Sequence, residues 1–463
     1  VSTPRRTRQR APLRPSSPSD TTGDHLWLDA PTPANGPATP APVPRAGTVL
    51  RSPGPLSLPA VVALCVVGLA VFVTIVVVRG GPSVDDALGV TRPTAAIADG
   101  DLGAAAHDSY LPQPAGYALL SSPVVLLFRP FIGTPTWCDA QVGPVTRVFL
   151  EQCDPGQLAT HHWYRSEALV GVLAWLVLAI GALRLLRATD APGPAEILLV
   201  LVLAAIPAAN DAVVETFHPQ DIVCVGLACA GLAEVLRRRW AIAGVLLGAA
   251  FLCKQFALLP LIAVVVAAPD MRTRARLVVP AVVVVAMGVV PFAVVDPSGT
   301  WNTLSAVNPG GVVKLTTGTV VGMSGFSEST KLHIARDGPV VLAVLMSLWA
   351  RRRAGGRLLT PVALLGLTTA CLAGRLVAEV WFASYYLLAV SATLVLLDLA
   401  ARRIPLWSFV WIACTGVLVE QAGGIPTTPL GAALAFVAAL GAVAIGLRAV
   451  PPRLGRALSP GTA

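Results

Sequence analysis

Residues 237–276 read RRRWAIAGVLLGAAFLCKQFALLPLIAVVVAAPDMRTRAR, an apolar run with arginines at both ends and one lysine, Lys254, near its middle. As one helix, 241–271 would reach about 46 Å at 1.5 Å per residue. The hydrocarbon core of a bilayer is only about 30 Å thick. A single crossing would also put Arg272, Arg274 and Arg276 on the opposite side from Arg237, Arg238 and Arg239. Loops retained in the cytoplasm carry an excess of Lys and Arg, so the stretch reads as two short helices folded into a hairpin with Lys254 at its tip.

The same rule orders the rest of the chain. Of its 463 residues 55% are hydrophobic and 13% charged, too apolar for a soluble core. Since lipid offers no partners to backbone N–H and C=O groups, the apolar runs must be helices. Spans are predicted near 56–78, 166–186, 195–209, 222–236, 277–295, 338–350, 358–376, 380–399, 405–420 and 429–448. With both termini cytoplasmic, 24 of the 34 basic residues fall inside and eight outside, leaving Lys254 and Arg375 at membrane depth. The fold class is therefore an all-α polytopic membrane protein of about 10 to 12 transmembrane helices. Its net charge of +9 follows from topology and calls for no nucleic-acid partner.

Residues 1–55, with twelve prolines, form a disordered cytoplasmic tail on composition. A transmembrane domain covers 56–448, and 449–463 is a second cytoplasmic tail. Two outer loops, 79–165 and 296–337, are too long to be mere connectors. Within the first, 115–133 is nearly membrane-like, and Pro123 and Pro130 predict a broken helix lying at the surface. Cys138 and Cys153 in that loop face the oxidising side and are a candidate disulfide. The other cysteines lie in apolar text. No Cys/His spacing resembles a metal site, and no cofactor is implied.

Four polar groups lie at the outer membrane face, where ionisable residues are expensive and by default functional. They are Asp85 and Asp86 just past the first span; Asp211, Glu215, His218 and Asp221 in NDAVVETFHPQD; Lys254; and Arg375 with Glu379, Tyr385 and Tyr386 in GRLVAEVWFASYY. Each also has a plain reading. The paired aspartates suit a hydrated loop, His218 a helix cap before Pro219, and Glu379 a neutraliser of Arg375 one turn away. The tyrosines suit an interfacial belt, and Gly244 with Gly248 a packing GxxxG. Together the four groups supply carboxylates, cations and hydroxyls on one face. That mixture suits transfer of a sugar from a lipid phosphate, which leaves without a proton: one base takes the acceptor's proton and cations take the departing charge.

The carboxylate past the first span, the ADGDLGAAA stretch, the proline-bearing apolar segment, HPQD, RRRWAIAGVLLGAAFLCKQFALLP and RLVAEVWFASYY resemble the GT-C membrane glycosyltransferases. The likeness is greatest to glycosyltransferase family 87, the bacterial α-mannosyltransferases that use polyprenyl phosphate mannose, and it spans roughly residues 56–400. It implies a polyprenyl-phosphate-linked donor, a glycolipid or lipoglycan acceptor, inversion at the anomeric carbon, no metal and an extracytoplasmic active site in the cell membrane. By position Asp85 matches the family's catalytic aspartate, with Asp86 the adjacent alternative, because no aromatic residue follows at the family's spacing. The resemblance makes Arg375, Lys254 and His218 candidates for the donor phosphate, and Asp221, Tyr385 and Tyr386 for sugar or acceptor. A secondary transporter is the rival class. Such proteins show paired halves with broken helices, and the sequence shows no second copy of the 241–271 hairpin.

Overall fold

A computed structural model of the protein describes residues 54–80, 87–107, 115–132, 162–214, 217–305, 319–380, 383–421 and 429–452. Among these residues all regular structure is helical. The helices are α1 (Leu58–Val78), α2 (Ala87–Ala98), α3 (Leu102–His107), α4 (Gly116–Ile132), α5 (His162–Arg187), α6 (Gly193–Ala205), α7 (Pro207–Val214), α8 (Pro219–Leu236), α9 (Trp240–Cys253), α10 (Leu258–Ala267), α11 (Met271–Val295), α12 (Pro297–Ser305), α13 (Glu328–Ala354), α14 (Pro361–Ala378), α15 (Leu388–Ala400), α16 (Leu406–Gln421) and α17 (Pro429–Arg448). Eight segments among the described residues are long and apolar enough to cross a membrane: 58–78, 169–187, 193–214, 219–236, 271–295, 328–359, 361–378 and 430–448. Shorter apolar helices lie between them. This is the architecture of a multi-pass membrane protein.

One end of the bundle is tied by arginines. Arg187 forks onto Glu196 at 2.8 and 3.1 Å and also donates to Leu56 O, joining the start of α1 to the α5–α6 turn. Glu234, fully buried, takes Arg184 at 2.6 Å and Arg237 at 2.8 Å. Arg402 donates to Asp190 O, and Arg353 to Val450 O. Three tight turns at this end pass through a left-handed non-glycine residue, Asp190, Arg238 and Arg402, with φ of 56°, 62° and 54°. Such residues close helix C-termini by letting the chain bond back to the last carbonyls, as Arg239 N does to Glu234 O at 2.8 Å.

The hairpin reading of 241–271 rests on glycine contacts. A Cβ on Gly244 would sit 2.1 Å from Leu277 O, one on Gly248 2.7 Å from Ala281 O, and one on Gly288 2.5 Å from Leu252. Residue numbers rise together along α9 and α11, so these two helices run parallel with backbones nearly touching. The intervening α10 must therefore return to the arginine end, where Arg351 donates to Val266 O at 2.5 Å. Asp270 then caps α11 by accepting from Thr273 N at 2.8 Å. That backbone donor holds the Asp270 carboxyl below the usual carboxylate range. Single cysteines at 238, 272 and 352 should react with an impermeant maleimide from one and the same side of the membrane. Labelling of 238 and 272 from opposite sides would unmake the hairpin.

Several expectations change. The 115–133 segment is one helix, α4, despite Pro123 and Pro130. A proline at 123 frees the carbonyl of Leu119, and Ser122 Oγ donates to that oxygen at 3.3 Å. Its face carrying Tyr117, Ala118, Ser121 and Val125 is buried, while Leu120, Leu126 and Leu127 on the other face are exposed, so it lies on the outside of the bundle with one face packed inward. The predicted 338–350 span begins ten residues earlier, at Glu328, because Ser327 caps it by accepting from Thr330 N. The predicted 195–209 span continues to Val214 across a break at Ile206. Finally, a 3-10 turn, Ser384–Leu387, leads into α15 after α14 ends at Ala378, as Gln255–Ala257 stands between α9 and α10. These two breaks add to the one at Ile206.

Candidate functional site

Both breaks carry the polar residues singled out from sequence, and they meet the start of α8. Counting helix rise from Glu234 to Asp221, from Arg239 to Lys254 and from Thr360 to Arg375, each lies about 20 Å from the arginine end. Three separate helices therefore deliver their ionisable residues to about the same distance from the arginine end. Lys254 Nζ lies 3.1 Å from Asp221 Oδ2. It is also 3.5 Å from His218 Nδ1, and that nitrogen is 3.7 Å from Asp221 Oδ2. Gln220 Nε2 lies 2.6 Å from the same ring nitrogen. The Tyr385 ring stacks on His218 with centroids 4.2 Å apart, and Tyr386 meets Tyr385 edge-on at 4.8 Å.

Arg375 completes the cluster. Its guanidinium lies 4.3 Å from the Tyr386 ring centroid and 5.1 Å from that of Phe256, cation–π range for both, with Glu379 3.4 Å away. The rings fix the plane of the guanidinium, and the carboxylate balances its charge. Arg375 and Glu379 are 14% and 13% exposed in their side chains, Lys254 16% and Asp221 1%. Both Asp221 oxygens are buried with no hydrogen-bond partner among the described residues. The Lys254 contact is thus an ion pair without hydrogen-bond alignment.

Local backbone aims the histidine. Phe217, fully buried, has φ of 50°, a left-handed conformation that a bulky residue adopts only when its surroundings enforce it. Its ring sits in the notch left by Gly171, where a Cβ would approach it to 2.9 Å. His218 N then bonds back to Ala212 O, which turns the chain from α7 into α8. As the N-cap of α8, His218 makes no side-chain cap bond. Its imidazole is committed to the cluster.

The structure thus brings together His218, Asp221, Lys254, Arg375, Tyr385 and Tyr386. Tyr385 is buried against the histidine, which sets it apart from an interfacial belt. Glu379 does accompany Arg375, as its spacing foretells. Asp211 goes elsewhere: it pairs with Arg79 at 2.5 Å, tying the far end of α1 to α7. Asp85, Asp86, Glu215, Cys138 and Cys153 lie outside the described residues. Asp85 and Asp86 fall between Gly80 and Ala87, close along the chain to that Arg79 anchor. Phe256 and Gln220 were not singled out from sequence, although each stands within two residues of a group that was. Among the described residues no three His, Cys, Asp or Glu side chains gather as metal ligands.

A small cavity of about 10 Å³ is lined by Asp211, Leu387, Ser391 and Thr415 among others, and none of the six cluster side chains lines it. Comparison of the chain with protein-family profiles, with curated proteins and with solved structures finds no match in any of the three.

Proposed function

We propose that the chain is an inverting membrane glycosyltransferase of the GT-C kind, with a bundle of about 10 to 12 transmembrane helices. It would move a hexose, mannose by the family resemblance, from a polyprenyl phosphate to an extracytoplasmic glycolipid or lipoglycan. The observation that carries the reading is the convergence of Lys254, Arg375 and His218 with Asp221 and two tyrosines, at a distance from the arginine end that the span assignment puts inside the membrane layer. A lipid phosphate can reach that depth while its chain stays among the helices. Its departing charge needs cations, and an arginine held within cation–π range of two rings carries the planar fork that phosphate oxygens match. Asp85 or Asp86 is the base for the acceptor hydroxyl.

Arg375→Lys keeps the charge and loses the fork. It should lower transfer of radiolabelled lipid-linked mannose in membranes by about 10²–10³-fold, the usual loss when one preorganised donor is removed. One of Asp85→Ala and Asp86→Ala should lose about 10²–10⁴-fold, as a general base does. Full transfer by both aspartate variants would remove the base from this mechanism.

The recurrence of broken helices favours one alternative, a secondary transporter whose broken helices bind a solute at membrane depth. Flux of a solute into proteoliposomes with no covalent change to any lipid would establish it.

A further inference from the structure

The cluster is self-neutralised. Lys254 faces Asp221 at 3.1 Å and Arg375 faces Glu379 at 3.4 Å, so with a neutral imidazole its formal charge is zero. An anion that engages both cations, as the donor phosphate does in the reading above, draws them from their own carboxylates and leaves the site with one excess negative charge. Asp221 is 1% exposed and neither oxygen has a hydrogen-bond partner among the described residues, so nothing close at hand replaces Lys254. An uncompensated buried charge is strongly unfavourable. The cheapest relief is a proton.

His218 is placed to take it. Its Nδ1 lies 3.7 Å from Asp221 Oδ2 and 3.5 Å from Lys254 Nζ, and imidazole is the side chain that titrates nearest neutrality. Among the described residues, the charged and titratable groups near it come from several elements. Asp221 and the Cys224 thiol lie on its own helix, and Asp211, held by Arg79, lies on α7. Lys254 and the Cys253 thiol come from the end of α9, Arg375 and Glu379 from α14, and Tyr385 and Tyr386 from the turn before α15. Of these, Lys254 is the cation within hydrogen-bond range of Nδ1 and opposes an imidazolium most directly. Once Lys254 turns to an anion and the Gln220 amide, whose nitrogen lies 2.6 Å from Nδ1, turns over or withdraws, the same nitrogen can carry a proton and donate it to Asp221.

We propose that this cluster binds a lipid phosphodiester anion together with one proton from solution, and that His218 holds the proton as the new partner of Asp221. Because a phosphodiester is already a monoanion throughout the neutral range, any proton taken up on binding belongs to the protein. This rests on the assignment of Lys254 and Arg375 to the donor phosphate.

The test uses the full chain purified in detergent, with dihexyl phosphate as the lipid-like probe and dimethyl phosphate as the same charged group without chains. Titration calorimetry at one pH in two buffers of different ionisation enthalpy should show about one proton taken up, and Kd should weaken about tenfold per pH unit above neutrality. His218→Gln should bind with a pH-independent Kd and no uptake. Binding of the wild-type chain without uptake overturns the proposal while leaving the phosphate assignment standing, and needs no variant that must fold. Uptake that persists in His218→Gln removes His218 from it. Equal affinity for the two probes overturns the lipid assignment, and failure of both to bind overturns the phosphate reading itself.

Discussion

Replacing Lys254 by methionine should abolish sugar transfer and destabilise the folded chain by about 3–5 kcal/mol, the usual penalty for stripping a buried charge of its partner. Asp221 has Lys254 3.1 Å away and is 1% exposed, so the variant strips a buried carboxylate of its permanent cation and leaves it only His218, 3.7 Å away, which can pair with it only by taking up a proton. Asp221→Asn alone strands the lysine instead, which is less buried at 16% exposure, and should cost less. With both replaced, no unpaired charge is left, and most of the stability should return. Transfer should not, because Lys254 is needed for the phosphate as well as for the fold. Unfolding in mixed detergent micelles supplies the stability arm, and the double-mutant cycle gives the coupling between the two sites. Simple additivity of the two losses would mean that the pair contributes nothing. Full transfer by Lys254→Met would remove the lysine from the chemistry.

Gly226→Val should cost more than about 3 kcal/mol, beyond the ordinary range for overpacking, and most of the protein should leave the detergent extract as aggregate. A Cβ at Gly226 would meet Val177 O at 2.5 Å and Leu178 N at 2.7 Å, and one at Gly181 would meet Gly226 O at 2.0 Å. These neighbours are backbone, so no side-chain rotation relieves the clash. Helices α5 and α8 would have to separate. Because α8 begins with His218 and Asp221, whatever folds would carry a displaced site, and a 1 Å misplacement can cost about 10²-fold in rate. Gly441 is the internal comparison: a Cβ there meets nothing within 4 Å, and Gly441→Ala should be neutral or stabilising by up to about 1 kcal/mol. Equal behaviour of the two variants in thermal unfolding would show that the α5–α8 contact does not limit stability.

Gly244 and Gly248 stand four apart and announce a packing face, and the contacts with α11 agree. Gly226 has Ala230 four residues on and so carries a small-xxx-small signal of its own, whereas Gly181 has Val177 and Leu185 at those positions and no local pattern marks it. The ion pairs divide in the same way. Arg375 and Glu379 are one helical turn apart, and their pairing follows from spacing. Asp211 and Asp221 share one short motif, yet Asp211 pairs with Arg79 and Asp221 with Lys254.

The amino-acid order alone marked this chain as a multi-pass set of apolar helices, with arginine clusters at segment ends and a few polar residues interrupting the apolar runs. Lipid forces backbone bonding inside each segment, and arginine clusters mark segment ends, so both signals are local. Only the tertiary structure decided which helix face meets which. Several of these helices are apolar all round, and lipid is as apolar as a helix neighbour, so no periodicity points a face inward. Partners were chosen by close backbone approach at small residues and by charges tens to more than a hundred residues apart, as in Arg79 with Asp211 and Lys254 with Asp221.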